Sequence, residues 1–281
     1  MKSPLPPSVQ FIERGPKTHV LVGFESSGAL HLGHYLILKR LKRELREDPS
    51  LKVTLLLSDV HARLNFKRNV RENTQSLKIF LEKLVPSAQV VIYSDIIKDP
   101  VFWGYFLSFV QKINFNDVFR ATPEEVKLSG IEEMRSLPGT YFCYSVMQCV
   151  DSHYFKADTV YAGTDQRKIY MLAFDTFSKL NWPKFNLALF PLVSAEGVIT
   201  RKVEEKMSKS KTSVPLDKDL LTLCERELKK SPTFLSHFCT KQLCVLYGSE
   251  DKEQFLKELT EDLSFLKDDR DGINKVPILE G

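Results

Sequence analysis

Apolar and polar positions along the chain follow two periodicities that together predict an α/β fold. Near-continuous apolar runs, typical of strands covered on both faces, predict strands at residues 19–24, 52–58, 89–94, 159–163 and 186–193. Segments 32–47 and 72–85 repeat apolar residues with helical spacing. Strands that alternate with helices in this way predict a Rossmann-like, doubly wound parallel sheet.

Two regions depart from this alternation. Residues 100–145 are rich in aromatic side chains and read as helices and loops, which predicts a helical insertion between the two halves of the sheet. After Pro215 the strand pattern stops and only helical spacing remains. We therefore expect a Rossmann-like α/β domain over residues 1–213, interrupted by the insertion, and a small all-α domain over residues 214–281.

Composition and charge narrow the class of protein without fixing it. The 281 residues carry a net charge of +4, which permits contact with a polyanion but does not require it. We expect neither a signal peptide nor a membrane span, because no run reaches the roughly 18 apolar residues that a span needs. Five cysteines without a CxxC pair predict reduced, buried thiols in the cytosol and no metal site.

The first stretch with candidate chemistry is "GFESSGALHLGHYL", where the first predicted strand leads into a helix. Gly23 and Gly33 allow the backbone to approach a ligand closely. His31 and His34 share one face of the helix, near an N-terminus that favours anions. The pattern favours phosphate binding. Metal ligation stays open, although no nearby cysteine or carboxylate completes a set, and so does a plain helix cap.

A second stretch, "EEKMSKSKTS", follows the last predicted strand. Its lysines, among them Lys206 and Lys209, are point charges on flexible stems, which suit a phosphate chain whose charge changes during a reaction. Ser208 and Ser210 place small hydroxyl groups between them. Considered alone, such a run is more often a solvated loop.

A third pattern lies in residues 144–155, where Tyr144, Gln148 and Asp151 share one face of an otherwise apolar helix. These side chains form either a solvent-facing stripe or the polar lining of a pocket. The next stretch, "YAGTDQRKIYMLA", contains three further candidates. Gly163 would allow a ligand to approach the backbone closely, Asp165 could accept hydrogen bonds from ribose hydroxyls, and Gln166 could bind an ammonium group.

HLGH in the first strand-to-helix turn and KMSKS after the last strand resemble the signature pair of class I aminoacyl-tRNA synthetases. Segments 144–155 and 161–173, with "LLLSDVHARLN", are similar to the tyrosyl-tRNA synthetases of archaeal and eukaryotic type. The resemblance covers about residues 19–213. It implies a cytoplasmic ligase that activates L-tyrosine with ATP and Mg²⁺ and passes the tyrosyl group to tRNA(Tyr).

The resemblance also implies a role for each candidate residue. Four residues would stabilise charge on the phosphates: His31, His34, Lys206 and Lys209. Contacts to the nucleotide would come from Gly23, Gly33, Gly163, Asp165, Ser208 and Ser210. The backbone end of tyrosine would be bound by Tyr144, Gln148 and Gln166, and its phenol by Asp151. Related enzymes are homodimers that pair through the insertion, so a homodimer is expected here.

The chain departs from the family pattern most where the phenol would bind. Leu21 stands on the first strand where the family has a tyrosine that shares the substrate hydroxyl with the aspartate. Ile97 stands where a glutamine is usual, Ser26 where proline is common, and segment 194–205 is longer than usual. Because tyrosyl-tRNA synthetases reject phenylalanine through polar groups that it leaves unpaired, we expect tyrosine as the substrate with weakened discrimination.

Alternatives stay open. A tryptophan–tRNA ligase shares the fold, although the pattern in residues 144–155 favours tyrosine. A catalytically impaired relative that binds RNA, or an adenylating enzyme that uses no tRNA, would keep the fold and reuse the site. Region 214–281 is short for an anticodon-binding domain and contains an acidic stretch poorly suited to RNA. Anticodon reading is therefore expected to be reduced or absent.

Overall fold

The protein is described here by a computed structural model, which places residues 10–12, 15–121, 138–194, 199–200, 206–207, 214–229 and 251–267. Its strands are β1 (Gln10–Ile12), β2 (His19–Glu25), β3 (Lys52–Ser58), β4 (Gln89–Ile92), β5 (Thr159–Gly163), β6 (Asn186–Phe190), β7 (Leu192–Val193) and β8 (Ile199–Thr200). The first six form one sheet in the order β1-β6-β5-β2-β3-β4, and the last two form a short ribbon.

The order of the strands is that of a doubly wound sheet. Strands β2 to β6 run parallel, and β1 lies antiparallel beside β6. The chain begins at the centre with β2, moves outward through β3 to β4, and then returns to place β5 on the other side of β2. Ligands bind such sheets beyond the carboxyl ends of the strands where the order reverses. The predicted fold class is confirmed, although β1 is too short to show a pattern.

Helices fill the connections between the strands. They are α1 (Leu32–Glu47), α2 (Asp59–Leu64), α3 (Val70–Leu84), α4 (Tyr93–Ile96), α5 (Pro100–Val110), α6 (Phe115–Ala121), α7 (Thr140–Tyr154) and α8 (Arg167–Leu180). The described part of the predicted insertion is helices and turns, and residues 122–137 of it lie outside the described residues. None of the helices placed by the structure is long and apolar enough to cross a membrane.

Both faces of the sheet are buried, because successive strand residues point to opposite sides. Val20 and Val22 of β2 belong to a core that also contains residues of α1 and α3. Leu21, between them, belongs to a second core on the other face, with residues of α5, α7 and α8. This two-sided burial explains why the strand sequence is a continuous apolar run.

After residue 213 the described chain forms α9 (Lys218–Leu228) and α10 (Lys252–Asp262), which pack against each other. Two ion pairs, Lys39–Glu258 and Lys42–Asp262, join α10 to α1. The buried Tyr35 of α1 also donates its hydroxyl to Asp262 over 2.8 Å. Part of the acidic stretch near the C-terminus therefore neutralises basic residues of α1.

Candidate active site

The site lies at the carboxyl ends of β2 and β5, which are neighbours at the point where the strand order reverses. Gly23 is the one exposed residue within β2 and so marks an opening at this edge of the sheet. An added Cβ there would meet Ser58 Oγ at an ordinary 3.7 Å, so the glycine is not required by its protein neighbours. On β5, a Cβ at Gly163 would approach Asp165 Oδ1 to 2.4 Å, which the present side-chain position excludes.

The two histidines of HLGH lie together at the start of α1. The backbone N–H of His31 donates to His34 Nδ1 over 3.2 Å, and the two ring centroids are 3.8 Å apart. A Cβ at Gly33 would come within 3.0 Å of the His31 ring, so glycine keeps room for this arrangement. Both imidazoles are thereby held at a helix N-terminus, whose dipole favours a negatively charged ligand.

The beginning of KMSKS reaches the same edge of the sheet. Lys206 Nζ lies 2.5 Å from Asp165 Oδ2, so the structure brings together a residue predicted to bind phosphate and one predicted to bind ribose. Met207 is buried, and its backbone N–H donates to the Val193 carbonyl over 2.8 Å. The predicted residues Ser208, Lys209 and Ser210 lie outside the described residues.

The chain that follows KMSKS is paired directly with the chain that precedes α1. Leu32 N–H donates to the Val214 carbonyl over 2.9 Å, and Leu216 N–H donates to the Leu30 carbonyl over 2.8 Å. His31 and Pro215 lie opposite each other between these two bonds. The two signature stretches are thus fixed to one another through the backbone, despite their distance in sequence.

A second set of predicted residues lines the other side of the site, on α7 and α8. Gln148 Nε2 donates to Gln166 Oε1 over 3.1 Å and to the Tyr170 hydroxyl over 3.2 Å. The three side chains form one polar cluster on an otherwise apolar face. Sequence reasoning missed Tyr170, although its position four residues after Gln166 puts both on one face of the helix.

Asp151, the third polar residue of the α7 pattern, is buried with only 6% of its surface exposed. It accepts a hydrogen bond of 2.6 Å from the hydroxyl of Tyr93, which is also fully buried. Burial raises the pKa of Asp151 to about 8, and the hydrogen bond from Tyr93 opposes part of that shift. The pattern of Tyr144, Gln148 and Asp151 is therefore not a solvent-facing stripe.

His61 of α2 packs beside these side chains, and it was not among the residues predicted from sequence. Its ring packs edge-on against Tyr93 and against Tyr144, with centroid distances of 4.6 Å in both cases. Neither ring nitrogen makes a hydrogen bond to a residue that the structure describes. Burial lowers the pKa of His61 to about 3, so its ring is neutral. The available signal was its place in "LLLSDVHARLN".

The model of the family "tRNA synthetases class I (W and Y)" matches residues 13–225 of this chain. The chain belongs to this family. Among related proteins, the chain is 29% identical to the "Tyrosine--tRNA ligase" of Methanoculleus marisnigri over 77% of its own length, and 29% identical to that of Thermoplasma acidophilum over 67%. The match spans 66% and 58% of the lengths of those two proteins.

A solved structure of a class I synthetase supports the fold assignment. Tyrosyl-tRNA synthetase from Archaeoglobus fulgidus, crystallised with L-tyrosine, aligns with a TM-score of 0.63 at 21% identity. The alignment covers 89% of this chain and 85% of the other. The predicted membership of the class I synthetases is confirmed.

Leu21 and Ile97, two of the departures from the family pattern, also lie within the described residues. Leu21 is 4% exposed and lies in the same core as Tyr93. The carbonyl of Ile97 accepts a 2.8 Å hydrogen bond from Trp103 Nε1, so its backbone supports α5. Cys149 is buried and its thiol donates to the Ile169 carbonyl over 3.3 Å. Cys149 therefore joins α7 to α8, in agreement with the packing role expected of the cysteines.

The metal alternative for the histidines gains no support from the described residues. Within them, no group of three or more His, Cys, Asp or Glu side chains is placed to hold a metal ion.

Proposed function

We propose that this chain is a tyrosine–tRNA ligase, which activates L-tyrosine with Mg²⁺-ATP and transfers the tyrosyl group to tRNA(Tyr). The observation that carries the proposal is the buried acceptor Asp151 at one end of a polar wall, with Gln148 and Gln166 further along it. An amino acid with a hydroxyl at the far end of an aromatic ring fits such a wall. The similarity to the tyrosine–tRNA ligases of Methanoculleus marisnigri and Thermoplasma acidophilum agrees with it.

In the first step a carboxylate oxygen of tyrosine attacks the α-phosphorus of ATP, and the bond to the β-phosphate breaks to release pyrophosphate. Negative charge grows on phosphate oxygens, so cationic groups and N–H donors placed beforehand lower the barrier. We assign this work to His31 and His34 on one side and to Lys206 and Lys209 on the other. No side-chain nucleophile is needed, because positioning and electrostatics carry the step.

We assign the remaining nucleotide contacts to residues at the carboxyl edge of the sheet. Gly23 and Gly163 would let the adenosine moiety approach the backbone, and Asp165 would accept from the ribose. Because Lys206 is paired with Asp165, this assignment requires the pair to open when ATP enters. Gly33, Ser208 and Ser210 would contribute backbone and hydroxyl donors to the phosphates.

Tyrosine would lie along α7, with Tyr144, Gln148 and Gln166 at its ammonium and carboxylate end and Asp151 at its phenol. In the second step a terminal ribose hydroxyl of tRNA(Tyr) attacks the carbonyl carbon and AMP leaves. Arg167 and Lys168 are exposed at the start of α8 and can meet RNA phosphates there. A cytoplasmic location is part of the same proposal.

We assign the catalytic domain to residues 1–213 and the short helical domain to residues 214–281. A homodimer through the insertion is supported by large apolar side chains on it that are exposed in the single chain. Among them are Val101, Leu107 and Phe115, with exposed fractions of 53%, 58% and 55%. Where such side chains form a contiguous patch, they are typical of protein interfaces. Sedimentation analysis of the intact protein tests this part.

The experiment that tests the function is amino-acid-dependent exchange of pyrophosphate into ATP, measured with all twenty amino acids. Exchange with tyrosine is the expected result, and charging of tRNA(Tyr) then separates a ligase from an adenylating enzyme. Exchange with tryptophan would favour the tryptophan–tRNA ligase of the same family. Absence of exchange with every amino acid would contradict the proposal in favour of an RNA-binding relative.

A further inference from the structure

The partner of Asp151 comes from a part of the chain that the family pattern does not single out. Tyr93 is the first residue of α4, directly beyond the carboxyl end of β4, and none of its surface is exposed. The next backbone N–H, that of Ser94, donates to Asp59 Oδ1 over 2.9 Å and so ties this turn to α2. The Tyr93 ring is further enclosed by His61 and Phe102, at 4.6 and 5.8 Å.

From this geometry we infer that Tyr93 is a positioning residue for the recognition of a phenol: it occupies one oxygen of Asp151 and leaves the other for the hydroxyl of the substrate. The inference rests on the proposed function, because the phenol in question is that of tyrosine. It goes beyond that function by naming the residue that sets the preference for tyrosine over phenylalanine.

The hydrogen-bond inventory of the pair supports this assignment. The Tyr93 hydroxyl has one proton, and it donates that proton to Asp151 Oδ1. Asp151 Oδ2 accepts no hydrogen bond from a residue that the structure describes. A phenol that donates to Oδ2 would leave the carboxyl group paired on both sides. Phenylalanine would fill the same space and leave Oδ2 unpaired in a buried place, which is unfavourable.

Leu21 explains why the hydroxyl must come from elsewhere. It is buried on the same face of the sheet as Tyr93, and its side chain offers neither a donor nor an acceptor. In the sheet, β4 lies two strands away from β2, so Tyr93 reaches Asp151 from a different direction. The chain thus lacks a tyrosine on its first strand but still presents a tyrosine hydroxyl to the aspartate. Discrimination against phenylalanine would then be retained, in contrast to the weakened discrimination that Leu21 alone predicts.

The test is the ratio of kcat/KM for tyrosine to that for phenylalanine in pyrophosphate exchange, compared between the natural protein and Tyr93→Phe. Phenylalanine keeps the buried ring, so the contacts with His61 and Phe102 are preserved. We expect the ratio to fall by about tenfold, the upper end of the loss typical of a hydrogen bond between two neutral groups. The matched control is Tyr154→Phe, which removes a hydroxyl that donates to Asp99 over 3.0 Å, outside this pocket. The control should leave the ratio unchanged.

A second variant shows whether Tyr93 acts through Asp151. In a double-mutant cycle, Tyr93→Phe should lower the ratio little further once Asp151→Asn is present. Equal losses for tyrosine and phenylalanine in Tyr93→Phe would mean that Tyr93 only supports the fold, and would overturn the inference. An unchanged ratio would overturn it as well. Both outcomes leave the proposed function standing if the natural protein exchanges with tyrosine, whereas a natural protein without such exchange defeats both.

Discussion

The two halves of the candidate site are built in opposite ways. At the proposed nucleotide edge, Lys206 and Asp165 form an ion pair, and their side chains are 18% and 8% exposed. In the proposed amino-acid pocket, Asp151 and Tyr93 are buried and share a hydrogen bond within the protein. The difference teaches that one half is suited to rearranging charge during a reaction, whereas the other is suited to rejecting a ligand that leaves a polar group unpaired.

The largest effect on activity is expected at the proposed nucleotide edge. Lys206→Ala should lower kcat for tyrosine-dependent pyrophosphate exchange by about a hundredfold to a thousandfold, because it removes a charge that faces the transition state. The KM for tyrosine should change little, since the amino acid lies in the other half. Steady-state exchange kinetics measure both constants.

The matched control for this prediction is Lys252→Ala. Lys252 also forms an ion pair, with Glu227, but it lies on α10. The control should exchange pyrophosphate like the natural protein. A Lys206→Ala variant with normal kcat and a raised KM for tyrosine would mean that Lys206 binds the amino acid, which contradicts its assignment to the chemical step.

An intermediate effect concerns pH and the buried acid. The pKa of Asp151 is raised by burial from 3.8 to about 8, so the folded state retains a proton that the unfolded state loses. Its contribution to the free energy of unfolding is present below pH 4 and is lost as pH rises towards 8, by at most about 1.4 kcal/mol per pH unit. Asp151→Asn has no carboxyl group to titrate at this position. The free energy of unfolding of Asp151→Asn minus that of the natural protein should therefore increase from pH 5 to pH 8, as measured by urea unfolding.

His61 titrates in the opposite sense, and the comparison must account for it. Its pKa is lowered to about 3, so stability is lost as pH falls below 6.5. Because His61 is present in both proteins, the difference between them reports Asp151. A difference that stays constant from pH 5 to pH 8 would mean that the acid is not held protonated by burial.

The smallest effect on selectivity is expected at Leu21 on β2. Leu21→Tyr should leave the preference for tyrosine over phenylalanine nearly unchanged, because Tyr93 already supplies the hydroxyl. Overfilling a buried position should lower the free energy of unfolding by about 1–3 kcal/mol. Leu21→Phe adds the same ring without a hydroxyl and is the control for this packing effect. A marked gain in selectivity for Leu21→Tyr, without a gain for Leu21→Phe, would mean that a hydroxyl on β2 and not that of Tyr93 sets the preference.

Sequence patterns predicted the sheet well but not the contacts between its parts. Five apolar runs gave the parallel strands because both faces are covered, and residues 32–47 gave α1 with the same bounds. The run at 89–94, however, placed Tyr93 in a strand, whereas β4 ends at Ile92 and the chain turns. That turn directs Tyr93 to a partner 58 residues away. Periodicity describes which face is buried, and it contains no information on such distant pairs.

The same limit applies to the candidate site. Gln148 and Gln166 were predicted from local spacing, and they prove to be in contact. Tyr170 and His61 were missed because an aromatic or imidazole ring in an apolar segment looks like ordinary core. The pairing of Lys206 with Asp165 could not be foreseen either, since it depends on how the end of one strand faces a loop that follows another.

Helix α1 is held at its N-terminus and along its outer side by later parts of the chain. Residues 214–216 pair with the backbone in front of it, and α10 binds its outer side through Lys39, Lys42 and Tyr35. The helix that bears the two histidines is therefore fixed by segments that are synthesised after the parallel sheet. A nascent chain that ends before residue 214 would have the whole parallel sheet with α1 packed on it, but it would lack the backbone pairing at HLGH and the contacts from α10.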